Sequence, residues 1–213
     1  TVNKLLYVSP TDGGAPIVPP VVAQKSVTNI THQAADVLID VNPGYAPTTL
    51  SFDYGTDPTF VTSTSAPVNP GMVDGGAPTT ASVKLTGLTP ATIYSFRIIG
   101  VNESGRTVSA TGTFTTLPPP VTAPIARIAP ATNITAYSAT LNGVAQAGNA
   151  PTKVYFVYGT DPEFKVNTNT IAASPFDISG GTNFYNVTLS LSFLDGGKTY
   201  YNKVVAINST GTT

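Results

Sequence analysis

The sequence predicts an all-β protein made of two consecutive antiparallel β-sandwiches, the second lacking its own last strand. Three observations predict this. The stretch TNITHQAADVLIDVNPGYAPTTLSFDYGTDPTF (Thr28 to Phe60) matches TNITAYSATLNGVAQAGNAPTKVYFVYGTDPEF (Thr132 to Phe164) at a constant offset of 104. A second block, IYSFRIIGVNESGRT from Ile93, matches TYYNKVVAINSTGTT from Thr199 at an offset of 106. Such self-similarity marks two copies of one unit of about 100 residues. Within each copy, apolar and polar residues alternate with period two between PG, DGG and GTDP turns, and no stretch shows a capped 3.6 period.

The elements follow from that alternation. In the first copy Leu50, Phe52 and Tyr54 alternate with Ser51 and Asp53, Val83 with Leu85, and Tyr94 with Phe96 and Ile98. Val154, Phe156 and Tyr158 repeat the first of these sets in the second copy. About seven short strands per hundred residues, with no cysteine, describe an immunoglobulin-like sandwich. The expected organisation is an N-terminal extended segment over 1–22, a first domain over 23–117, a Pro-rich linker over 118–125 and a second domain over 126–213. Three consecutive prolines in LPPPVT make the linker a semi-rigid, extended spacer.

Leu88-Thr-Pro-Ala-Thr-Ile-Tyr94, followed by Asn102-Glu-Ser-Gly105 and Gly112-Thr-Phe114, resembles the fibronectin type III family in the form found in prokaryotic extracellular proteins. Leu194-Asp-Gly-Gly-Lys-Thr-Tyr200 and Asn208-Ser-Thr-Gly211 carry the resemblance into the second copy, and Phe-x-Tyr-Gly-Thr-Asp-Pro occurs in both. The resemblance implies a tyrosine corner at Tyr94 and Tyr200, each phenol bonded to backbone upstream. It also implies an extracellular or cell-surface location and a spacer, adhesion or recognition role. The chain departs from the family in having no Trp in its second strand.

Composition narrows the function. Charged residues are 10% of the chain, against a typical ~25%, and the formal net charge is −1. That leaves no basic footprint for nucleic acid and no polybasic membrane anchor, and no apolar run is long enough to span a bilayer. Neither a starting Met nor a signal peptide is present, so a processed or excised chain is expected. One histidine, His32, and no cysteine argue against a catalytic triad or a thiolate metal site. No catalytic residue, cofactor or metal is therefore expected, and the protein is not expected to be an enzyme. Asp57 and Asp161 in the GTDP turns, and Asp12, Asp74 and Asp195 in the DGG turns, are too dispersed for calcium and are turn formers. The ten tyrosines mostly fall on core-facing positions. Asn29, Asn102, Asn133, Asn186 and Asn208 head Asn-x-Ser/Thr sequons and are candidate glycosylation sites.

One strand is out of place. The first copy runs past its Asn-x-x-Gly turn into Arg106–Thr116, whereas the second ends at Thr213, equivalent to Thr107. The spare alternating segment is Thr1–Ser9, with Val2, Lys4, Leu6 and Val8 on one face and Asn3, Leu5 and Tyr7 on the other. Placed after Thr213 it mimics the first copy's last strand, as if the repeat were circularly shifted. The donor strand is thus expected at Val2, Lys4, Leu5, Leu6, Tyr7 and Val8, and the acceptor at Tyr200, Val204, Val205, Ala206 and Ile207. Folding back onto the same chain is disfavoured. The residues from Ser9 to Pro20 reach at most ~45 Å, and a domain of ordinary strands is roughly 35–40 Å long.

The expected function is a structural subunit of an extracellular filament or surface fibre, joined head to tail by donation of the N-terminal strand. The partner is then another copy of the chain, with other surface proteins or polysaccharide as further candidates. The alternative is a non-catalytic spacer or adhesion pair cut from a larger secreted or cell-surface protein.

Overall fold

The computed structural model describes residues 15–213, so the donor residues Val2, Lys4, Leu5, Leu6, Tyr7 and Val8, and also Asp12, lie outside the described residues. All regular structure among the described residues is β-strand. The chain divides into two units after Pro119.

The first unit contains β1 (Val21–Thr28), β2 (Ala34–Asn42), β3 (Thr48–Gly55), β4 (Thr64–Ala66), β5 (Met72–Val73), β6 (Thr79–Thr86), β7 (Ile93–Asn102), β8 (Gly105–Val108) and β9 (Gly112–Thr115). One sheet has the order β1-β2-β6 and the other β4-β3-β7-β8, with β5 also on β3 and β9 also on β7. β2 alternates strictly, burying Ala35, Val37, Ile39 and Val41. These face Phe52, Phe96, Ile98 and Phe114 from the other sheet in one continuous core. Alternation with one face inward is what a sandwich of two packed sheets demands.

The second unit contains β10 (Ile125–Thr132), β11 (Ala139–Gln146), β12 (Thr152–Gly159), β13 (Thr168–Ile178), β14 (Phe184–Leu191) and β15 (Tyr201–Ile207). Its strands follow the order β10-β11-β14-β13-β12-β15. β13 bridges β12 and β14: Thr168–Ala172 and then Asp177 and Ile178 pair with β12, and between them Ser174 pairs with Thr188 of β14. Val154, Phe156, Val187 and Ala206 are fully buried at its centre. β10, β11, β12, β14 and β15 correspond to β1, β2, β3, β6 and β7.

The expected boundaries need correction. The first domain starts ahead of residue 23: Val22 is buried in the core, and the Val18 N–H donates to Gly44 O at 3.0 Å. The stretch 118–125 is not a free spacer either. Thr122 N–H donates to Gly148 O at 2.8 Å, Asn149 Nδ2 donates to Pro120 O at 3.0 Å, and β10 begins at Ile125. The lead-in Thr122 repeats the role of Val18, so what looks like linker in composition is the first part of each domain.

Phe156 is fully buried, and truncating it removes the largest side chain of the second core. Phe156→Ala should lower stability by about 3–5 kcal/mol in denaturant melts; a loss under about 1 kcal/mol would place that ring outside the core.

Candidate functional site

The two copies share their turn chemistry and differ at one sheet edge. The Tyr94 hydroxyl accepts a hydrogen bond from Thr89 N–H at 2.9 Å, and the Tyr200 hydroxyl accepts one from Asp195 N–H at 3.1 Å. In each, the phenol folds back over the turn that enters the sixth strand of the sandwich repeat, β7 in the first copy and β15 in the second. Asn102 Nδ2 donates to Val18 O (2.7 Å) and Pro43 O (2.9 Å), while its Oδ1 accepts from Ser104 and Gly105 N–H. Asn208 does the same with Thr122 O (2.8 Å) and Ala147 O (2.9 Å), and with Thr210 and Gly211 N–H. Both asparagines thus clamp the domain's lead-in and a neighbouring loop with both Nδ2 hydrogens. A glycan on Nδ2 would remove one of those donors, so occupancy at Asn102 or Asn208 would break a clamp bond. Asn29, Asn133 and Asn186 are exposed.

The GTDP aspartates are turn formers. Asp57 accepts from Thr59 N–H (2.8 Å) and Thr59 Oγ1 (2.6 Å) on one oxygen, and from Val61 and Thr62 N–H on the other. Asp161 accepts from Glu163, Lys165 and Val166 N–H. The Thr59 hydroxyl and the surrounding N–H groups pull Asp57 down to about 2, and the same backbone donors lower Asp161. Hydrogen bonds to the ionised form have that effect. Among the described residues, no three His, Asp or Glu side chains converge. His32 sits half-buried in the bend before β2.

The outer edge of the sixth strand is where the copies part. In the first domain β7 carries β3 on one side and β8 and β9 on the other. Tyr94, Phe96 and Ile98 are buried as a result, and the Phe114 ring stacks on Tyr94 at 5.6 Å and lies 6.2 Å from Phe96. In the second domain β15 has β12 on one side. On the other, among the described residues, only the chain's return is found: Ile207 bridges Thr212, and Thr213 N–H donates to Ala206 O at 3.0 Å. Backbone groups of an antiparallel strand alternate direction with period two, so those of Asn202 and Val204 face the same open side as Ala206 O. Tyr200, Asn202 and Val204 are only half-buried where their counterparts are buried.

A cavity of about 260 Å³ lies against this edge, walled by residues that include Ala131, Ile134, Leu141, Tyr158, Leu191, Leu194, Tyr200 and Asn202. Their counterparts Val27, Ile30, Val37, Tyr54, Leu85, Leu88, Tyr94 and Phe96 belong to, or pack against, the core that holds Phe114. The cavity therefore occupies the place of the missing ring. Asn202 Oδ1 is buried there and has no hydrogen-bond partner among the described residues.

The sequence-expected acceptor residues are thus distributed unevenly. Tyr200 lines the cavity just ahead of β15, and Val204 turns its backbone groups to the open side, whereas those of Val205 face Tyr155 of β12. The edge positions at Ala206 and Ile207 are already used by Thr213 and Thr212. Asn202 was not among the expected residues. Its signal is the 106 offset itself, which sets a polar residue where the first copy has the core ring of Phe96.

No family model and no curated protein matches this chain. Among solved structures, the short form of the sensor domain of anti-sigma factor RsgI4 from Pseudobacteroides cellulosolvens is 21% identical, with a TM-score of 0.38 over 48% of this chain and 99% of its own. The chicken CNTN1 FN1–FN3 domains are 18% identical with a TM-score of 0.37, covering 91% of this chain and 62% of theirs. The two fibronectin type-III domain segment of chicken tenascin is 16% identical with a TM-score of 0.29, covering 89% and 94%. Fibronectin type III proteins are thus among the similar structures, at low TM-scores that carry no functional assignment.

Two predictions follow from the turn chemistry. Tyr94→Phe removes the acceptor for Thr89 N–H and should cost about 1–3 kcal/mol; an unchanged urea midpoint would show that the bond contributes nothing. Asp57 has a lowered folded-state pKa, so its stabilising bonds are complete above its unfolded pKa near 4 and are lost as pH falls through about 2. A side-chain NMR titration should give Asp57 a midpoint near 2, and a midpoint near 4 would mean the loop is not closed in solution.

Proposed function

We propose that this chain is a non-catalytic structural subunit of an extracellular filament or surface fibre, in which residues 1–9 of one copy complete the second domain of the next. The observation that carries this reading is the open outer edge of β15 over a cavity standing where the first domain holds Phe114. A strand added there supplies the main-chain partners that Asn202 and Val204 lack and fills the cavity. A head-to-tail contact of this kind does not close on itself and propagates as a fibre. The resemblance to prokaryotic fibronectin type III domains supports the extracellular setting, and the alternating segment Thr1–Ser9 supports the choice of donor. A surface-exposed fibre of this sort would meet other surface proteins or polysaccharide.

A second reading has one observation in its favour. Thr212 and Thr213 already pair with β15, so in a longer surface protein the residues that follow would continue the same strand and complete the domain in cis. The chain would then be a spacer or adhesion pair within that protein.

The intact chain should form polymers visible by negative stain. Deleting residues 1–9 should leave monomers with the first domain folded, and the free peptide of those residues should raise the melting temperature of the second domain. Fibres from the deleted protein, or a folded monomer from the intact one, would reject strand donation.

A further inference from the structure

We infer that the donated strand enters in one register, with Tyr7 of the neighbouring copy in the cavity on Tyr200, Leu5 over Asn202 and Ser9 beside Lys198. This rests on the strand donation proposed above and adds which side chains select the partner.

The register comes from the first domain. There β8 pairs Val101 with Arg106 and Ile99 with Val108, and β9 then pairs Phe96 with Gly112 and Tyr94 with Phe114. The second domain keeps the start of this pattern: the bridge of Ile207 with Thr212 is the shifted equivalent of Val101 with Arg106. When residue 1 of a neighbour follows Thr213 in place, Leu5 falls at the position of Gly112, Tyr7 at Phe114 and Ser9 at Thr116.

Each placement meets a feature of the slot. Gly112 has to lack a side chain, because a Cβ there would overlap the Phe96 ring and the Gln24 side-chain oxygen, whose counterpart in the second domain is the exposed Ile128. In the second domain Phe96 is replaced by the shorter Asn202, which leaves room for, and a void without, a side chain on the incoming strand. Leu5 supplies it. The copies trade size across a contact elsewhere too: Gly100 lies against Val22, where a Cβ would stand 2.9 Å from Cγ1, and their counterparts are Ala206 and Ala126. Tyr7 replaces the ring of Phe114 and adds an O–H donor in a cavity whose wall holds the unpartnered Asn202 Oδ1. Thr116 Oγ1 donates to Thr89 O at 2.7 Å and accepts from Thr92 N–H at 2.9 Å, and Ser9 keeps that hydroxyl.

The size exchange also sets specificity. The donor strand cannot replace β9 in the first domain, because Leu5 would strike Phe96; β9 would put Phe114 on Tyr200 but, with Gly112, would leave the space over Asn202 unfilled. Mismatch against the wrong partner is as much a part of selectivity as fit to the right one. Assembly is thereby directed to one site per subunit.

The test uses the full chain, which contains no cysteine. Leu5→Gly and Asn202→Phe should each slow assembly roughly tenfold or more, and the double variant should recover most of the loss because it recreates the Gly112–Phe96 pair. Independently of folding effects, Leu5→Cys combined with Asn202→Cys should give a ladder of covalent multimers on non-reducing gels, and Leu6→Cys with Asn202→Cys should not. A ladder from the Leu6 pair instead would overturn the register while leaving donation standing. Unlinked monomers from both pairs, or a disulfide within one chain, would overturn donation between copies and the register with it.

Discussion

A strand in a sandwich has two edges, and each row of N–H and C=O groups needs a partner or water. That constraint separates the two halves of this chain. In the first domain the sixth strand is covered by β8 and β9, and Tyr94, Phe96, Ile98 and Phe114 close into a packed core. In the second domain the corresponding strands β10, β11, β12, β14 and β15 stand around the same place, and among the described residues no ring takes the position of Phe114. The consequences are local but consistent: half-buried Tyr200 and Val204, a cavity of about 260 Å³ and a buried amide oxygen with no partner. Each loses contacts or hydrogen bonds that an added strand would restore.

The features that hold each domain together are short-range and repeated. The tyrosine bonds over the turn into the sixth strand, the asparagine clamps at Asn102 and Asn208, and the aspartate-capped loops at Asp57 and Asp161 occur in both copies at matching positions. None depends on the last strand. The second domain can therefore keep its turns and its inner core of Val154, Phe156 and Val187 while its edge stays open, which is what an acceptor for an incoming strand requires.

Period-two alternation locates β3, β6, β7 and β12, whose apolar residues enter the cores, and the matched blocks show that the chain holds two copies of one unit; β10 and most of β13 bury no continuous face and carry no such signal. Proline content misled at the boundaries: LPPPVT looks like spacer, but Thr122 is fastened to Gly148 and Asn208 by bonds that composition cannot reveal. A sequon likewise does not show that both amide hydrogens are already committed, as they are at Asn102 and Asn208. At the candidate site, alignment of the copies pointed to the open strand. It did not single out Asn202, whose meaning depends on a burial and a missing partner that only three dimensions supply.

The most direct measurement is hydrogen exchange at the outward-facing amides of Asn202 and Val204 in the assembled protein and in the form lacking residues 1–9. Strand donation requires slow exchange at both in the assembled protein and fast exchange once the segment is removed. Fast exchange at both in assembled material, or unchanged protection without residues 1–9, would contradict it.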